Sequence, residues 1–130
     1  PKADLGPAKN KLRFDLMKEE NQEYFEAAQS NDLVEVADAL GDMLYILCGT
    51  IIEHGMQDKI EAVFNEIQRS NMSKLGPDGQ PIYRQDGKVL KGPNYFKPNI
   101  KSIFNTIKNN TSIVHARNTT TAHTSVKVIR

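Results

Sequence analysis

Leu12-Arg13-Phe14-Asp15-Leu16-Met17-Lys18-Glu19-Glu20-Asn21-Gln22-Glu23, followed after an 11-residue spacer by Glu35-Val36-Ala37-Asp38-Ala39-Leu40-Gly41-Asp42-Met43-Leu44-Tyr45, is the stretch on which the reading of this chain turns. Both halves are rich in helix formers and free of proline. The first half predicts a helix over 10–29, with Leu12, Leu16, Tyr24 and Ala27 or Ala28 on one face. Ser30-Asn31-Asp32 breaks it, and Asp32 with Glu35 three residues on has the spacing of a capping box. A second helix is expected over 33–54, closed by Gly55. Its heart, 39–52, is apolar nearly all round. That predicts a central helix buried on most sides, covered in part by a second subunit.

The acids fall into register on these helices. At about 100° per residue, Glu20 and Glu23 lie about 60° apart and Glu19 and Glu23 about 40°. Glu35, Asp38 and Asp42 share a sector of roughly 60° by the same geometry. Two antiparallel helices on a short link would face these carboxylates at each other. Hard divalent cations take such an oxygen shell, and magnesium keeps waters for substrate phosphates. The plain alternative is a solvated acidic face, and Glu19, Glu26 and Glu53 taken singly fit it. Asp42 is the only charged residue between Ala39 and Ile52. If buried it must be neutral, hydrogen-bonded, paired or metal-bound.

Downstream, Ile60, Val63, Phe64 and Ile67 predict a third helix over 57–70. Residues 75–98 are punctuated by glycines and prolines, with Asp78-Gly79 and Asp86-Gly87 as turn dipeptides. Residues 82–84 and 88–90 are expected to pair as a short hairpin. A short helix is expected over 100–108, and 109–130 reads as a polar, mobile tail. The domain assignment is therefore 1–108 plus a tail. His115 and His123 match no zinc spacing, and Cys48 reads as a small core residue.

Length and composition bound the rest. The chain has 130 residues, 38% hydrophobic and 25% charged, which suits one modest core. No apolar run of about 18 residues and no secretory pattern is present. One cysteine cannot form an internal disulfide, so a cytoplasmic setting is expected. The chain opens at Pro1 rather than Met and reads as a fragment that has lost an N-terminal element. Residues 1–66 hold 14 acids against 6 bases, a net of −8; residues 67–130 hold 2 against 11, a net of +9, which together make the +1 of the whole. A metal site followed by a phosphate-binding segment is one reading of that asymmetry. A helical interaction module whose basic half binds nucleic acid or an acidic partner is the other. A di-iron bundle would need Glu-x-x-His pairs, and there are none. No phosphate-loop or dinucleotide fingerprint occurs.

The paired motifs, with Asp42-Met-Leu-Tyr45 and the later Gly49-Thr50, resemble the MazG-like and phosphoribosyl-ATP pyrophosphohydrolase superfamily over about 10–98. The resemblance implies an all-α bundle of MazG-like type completed by oligomerisation, as a homodimer or homotetramer. It implies magnesium-dependent cleavage of a nucleoside triphosphate to monophosphate and pyrophosphate, with manganese as a substitute and house-cleaning of non-canonical nucleotides as the role. Glu20, Glu23, Glu35 and Asp38 become the expected metal ligands. Glu19 and Asp42 become the next carboxylates, as ligand, water-activating base or supporting partner. Many relatives carry Glu-Leu-Gly-Asp where this chain has Ala39-Leu-Gly-Asp42, so the pair Glu35/Asp38 is preferred. Asn71-Met-Ser-Lys74 and Gly87-Lys88-Val-Leu-Lys91-Gly-Pro-Asn-Tyr95 look like substrate-facing elements, which puts Asn71, Lys74, Lys88, Lys91 and Tyr95 on the nucleotide. No membrane and no nucleic acid is expected as a partner.

Overall fold

The computed structural model describes residues 1–105. Four helices follow in chain order: α1 (Pro7–Gln29), α2 (Leu33–Glu53), α3 (Ile60–Met72) and α4 (Ile100–Asn105). Among the described residues the only β pairing is one antiparallel bridge, Tyr83 to Val89, so the fold is all-α. The chain divides into two compact units, Pro1–Ile60 and Glu61 onward. The expected tail lies outside the described residues.

In the first unit α1 begins at Pro7, three residues before the expected start. Proline suits the first helical position, because its missing N–H would find no partner there. Asp4 ties down the lead-in: its Oδ1 accepts from the Gly6 N–H at 2.8 Å and from Asn10 Nδ2 at 2.7 Å.

The turn between the helices is closed at both ends. Asn31 adopts a left-handed φ of 55°. Its N–H donates to Ala28 O, and the Asp32 N–H donates to Ala27 O, which together satisfy two of the last carbonyls of α1. Asp32 then caps α2, its Oδ1 accepting from the Val34 and Glu35 N–H groups at 3.1 Å each. Only Ser30, Asn31 and Asp32 separate the helices, so α2 must return antiparallel along α1. At its far end α2 stops at Gly55, whose φ of 68° favours glycine. The Gly55 N–H bonds Ile52 O and the Met56 N–H bonds Ile51 O.

What joins α1 to α2 is mostly polar or small. Arg13 Nε donates to Thr50 Oγ1, and its Nη2 donates to Ile46 O, each at 3.0 Å. Lys9 pairs with Glu53 at 2.9 Å. Ala27 and Ala39 are buried. Within this chain α2 is not buried on most sides. Leu33 is 80% exposed, Tyr45 82% and Leu44 62%. α1 covers one face of α2, and no other element of this unit lies over the rest. Asp42 and Cys48 are exposed for the same reason. So are Leu12 and Tyr24, which the pattern places on the packed face of α1.

In the second unit α3 leads into the Gly/Pro-rich segment. The expected hairpin is present in reduced form. The Arg84 N–H bonds Lys88 O at 2.7 Å and the Leu90 N–H bonds Ile82 O at 2.7 Å, around the Asp86-Gly87 turn. Val89 is buried. α4 begins after Asn99, whose Oδ1 accepts from the Ser102 N–H.

Replacing Asp32 with Ala leaves two N–H groups of α2 without their cap. Chemical denaturation of Asp32→Ala is expected to show a loss of about 1 kcal/mol, against nearly none for Asp32→Asn.

Candidate active site

α1 and α2 run past each other so that Glu20 faces the middle of α2. Its carboxylate is half-buried, and Oε2 is shut off from solvent with no hydrogen-bond partner. Burial raises the Glu20 carboxyl above the usual carboxylate range, and the negative charges of Glu23, Asp42, Glu19 and Asp38 raise it further. An orphaned carboxylate oxygen beside four other carboxylates is costly unless a proton or a cation answers it. The donor set is all oxygen, which suits a hard divalent ion such as magnesium or manganese. Among the described residues no three His, Cys, Asp or Glu side chains yet converge on one point. Like charges keep their distance unless a cation lies between them.

Four of the other five acids singled out in the sequence lie near enough for their charges to act on Glu20. Asp42 is exposed rather than buried, yet it repels Glu20 more strongly than Asp38 does. Glu35 lies apart from that set. It lines a recess of about 420 Å3 with Glu23, Glu26, Ala27, Ser30 and Asp32, where the two helices turn. Glu23 belongs to both groups and links them. Ala39 is 2% exposed, the most buried residue of the helix pair. The small side chain there fits a close approach of the helices.

In the second unit, the loop after the hairpin folds back on the end of α3. Ser70 Oγ donates to Phe96 O at 2.8 Å, and the Phe96 N–H donates to Ser73 Oγ at 3.1 Å. The Gly92 N–H donates to Lys74 O at 2.9 Å. A Cβ at Gly92 would stand 2.6 Å from Leu75 O and 2.7 Å from Lys74 O, so no other residue fits this crossing unchanged. The crossing brings the Lys74 backbone to Lys91 and Tyr95, and Lys91 Nζ lies 4.8 Å over the Tyr95 ring. Asn71 is half-buried, and its carbonyl accepts from the Lys74 N–H at 3.1 Å. Lys88 sits apart in the hairpin turn with its side chain exposed. Sequence reading missed the latch beside them. Arg69 lies 4.3 Å over Phe96 and pairs with Glu66, which also accepts from the Asn99 N–H at 2.7 Å. These bonds, Arg69 first, hold the Glu66 carboxyl down at about 2. The i, i+3 spacing of Glu66 and Arg69 was the available signal.

The sequence model of the family described as phosphoribosyl-ATP pyrophosphohydrolase matches residues 3–71, just over half of the chain. All six acids and Asn71 fall inside that match; Lys74, Lys88, Lys91 and Tyr95 fall beyond it. A crystal structure of a candidate NTP pyrophosphohydrolase from Exiguobacterium sp. 255-15 is similar, with a TM-score of 0.50 and 38% identity. The likeness covers 58% of this chain and 45% of that one. Uncharacterized protein L479 of Acanthamoeba polyphaga mimivirus is 48% identical over 46 residues, 35% of this chain and 18% of that protein. The chain therefore spans under half of the solved relative and under a fifth of the viral one.

Glu66 has a folded pKa below its ordinary 4.5, so its bonds stabilise the protein fully above that pH and are lost as pH falls toward about 2. Thermal midpoints followed from pH 7 down to 2.5 should decline on this limb. In Glu66→Gln they should start lower and decline less. Gly92→Ala should lower the midpoint at every pH.

Proposed function

The chain belongs to the phosphoribosyl-ATP pyrophosphohydrolase family, and on that footing we propose that it cleaves a nucleoside triphosphate, or a related nucleotide, to the monophosphate and pyrophosphate with magnesium. The observation that carries the reading is Glu20 Oε2, a buried oxygen without a partner among four neighbouring carboxylates. Glu20, Glu23 and Asp38, with Glu35 from the adjoining recess, hold the metal. Bound there, magnesium offsets the charge of the phosphates and of the water that attacks them. Glu19 and Asp42 are exposed carboxylates beside Glu20 and take the proton of the attacking water. Attack at the α-phosphorus leaves pyrophosphate as the departing group. With Ala39 in a tightly packed position, the acids of α2 that serve are Glu35, Asp38 and Asp42.

In the second unit Lys74, Lys91 and Lys88 supply point charges for phosphate oxygens, and Asn71 and Tyr95 supply a hydrogen-bonding group and a ring for base or sugar. The basic half favours nucleic acid less than its net charge implies. Arg69 and Arg84 are already paired, with Glu66 and Asp86. House-cleaning of non-canonical nucleotides in the cytoplasm is the role that fits this chemistry. The exposed Leu33, Leu44 and Tyr45 side of α2 is the face for a second copy in a homodimer or homotetramer.

Pyrophosphate release should be measured over a panel of canonical and modified nucleoside triphosphates, with and without magnesium. Release is expected only with magnesium, and Glu20→Gln and Asp38→Asn should each lower it on the order of 100-fold. Release that ignores magnesium and both substitutions would overturn the reading. Light scattering should give a mass above the 14.6 kDa of one chain, and Leu44→Glu should lower it toward that value.

A further inference from the structure

The α1–α2 pair has little to hold its register by packing. Its fully buried residues are two alanines, Ala27 and Ala39; Val36, Met43 and Ile46 of α2 are only half-buried, and Leu33, Leu44 and Tyr45 are exposed. Apolar surfaces of this kind are non-directional, and small side chains set no jigsaw. The acids facing each other around Glu20 push the helices apart. Lys9–Glu53 bridges them only at the surface, where ion pairs contribute little.

Arg13 is different. Its guanidinium makes two directed bonds to α2, one to a side chain and one to a backbone carbonyl, and it is half-buried. Thr50 Oγ1, which receives one bond, itself donates to Ile46 O, which receives the other, at 2.8 Å. The group of three is therefore closed. Gly49 leaves room for it: a Cβ there would lie 3.0 Å from Arg13 Nη2. Arg13 precedes Glu20 by seven residues, two turns of helix, so the two share one stripe to within about 20°. On α2, Ile46 and Thr50 follow Asp42 by one and two turns, and Asp38 precedes it by one. The clamp and the carboxylate cluster are thus successive rungs of one ladder.

We propose that Arg13 is a positioning residue: its grip on Thr50 and Ile46 sets the register at which Glu20 meets Asp38 and Asp42. A one-residue slip of α1 along α2 would shift these acids by about 1.5 Å and turn them by about 100°. A metal site tolerates displacements of about 0.5 Å. The inference rests on the reading of the cluster as a metal site.

The test measures manganese binding to the full chain without nucleotide, by the loss of the free-ion paramagnetic resonance signal, alongside thermal midpoints. Arg13→Met should weaken binding about 10-fold or more at a temperature where it is fully folded. Arg13→Lys keeps the charge but loses the two-point fork, and should fall between. Gly49→Ala, which crowds the guanidinium, should also weaken binding. Lys9→Met, at the same end of the pair, should leave it unchanged. If Arg13→Met does not fold, Arg13→Lys and Gly49→Ala carry the comparison. Lowered midpoints with unchanged manganese affinity would overturn this inference alone, leaving Arg13 as a fold-stabilising residue. A wild-type chain that binds no manganese would overturn the metal reading and this inference together.

Discussion

Ser30, Asn31 and Asp32 stand where one helix must end and the next begin, and they satisfy both ends at once. Asn31 takes the left-handed turn that closes α1, and Asp32 turns its carboxylate back to cap α2. With no slack between them, the helices can only fold back side by side. Every feature of the first unit depends on that return. It sets Lys9 against Glu53, Arg13 against Thr50, Glu20 against Asp42, and Glu23 beside Glu35 at the turn. The acids are brought together by topology and not by any attraction of their own.

The same economy explains why the pair is so lightly packed. Two alanines at the contact let the helices approach closely, and one carboxylate oxygen of Glu20 is shut off from solvent. The cost is a weak hydrophobic contribution within one unit, because fully burying a leucine contributes about 1.5–3 kcal/mol and the leucines of α2 are largely exposed. Directed polar contacts such as the Arg13 clamp stand in for part of what packing would otherwise supply.

The second unit solves a different problem, that of ordering a segment rich in glycine and proline. Backbone bonds close the hairpin and the Gly92 crossing, and side chains fix the rest. Ser70 and Ser73 take up the backbone of Phe96, Glu66 takes up the N–H of Asn99, and Arg69 lies on the Phe96 ring. Gly92 permits the chain to cross the end of α3 at a distance no Cβ allows. Lys91 and Tyr95 are held by this frame rather than carried on a loose loop.

Sequence alone determined the local rules. Helical periodicity, the Asp32 cap, the Gly55 stop and the turn dipeptides were legible because each depends on neighbours within four residues. The all-α class was legible from the helical periodicity and the motif resemblance, and helical angles with a short link predicted Glu19, Glu20 and Glu23 facing Glu35, Asp38 and Asp42. Tertiary structure decided what those rules leave open. Apolarity all round α2 predicted burial, but burial depends on how many partners a helix has, and within its unit α2 has one. Asp42 and Cys48 are exposed for that reason. The separation of Glu35 from Glu20 is set by axial offset across two helices, which periodicity on either helix cannot give. Arg13 and Thr50 stood in the motif as unassigned letters; only the antiparallel register turned them, with Gly49, into one contact, because their meeting requires residues 36 or more apart in the chain to lie on the same rung.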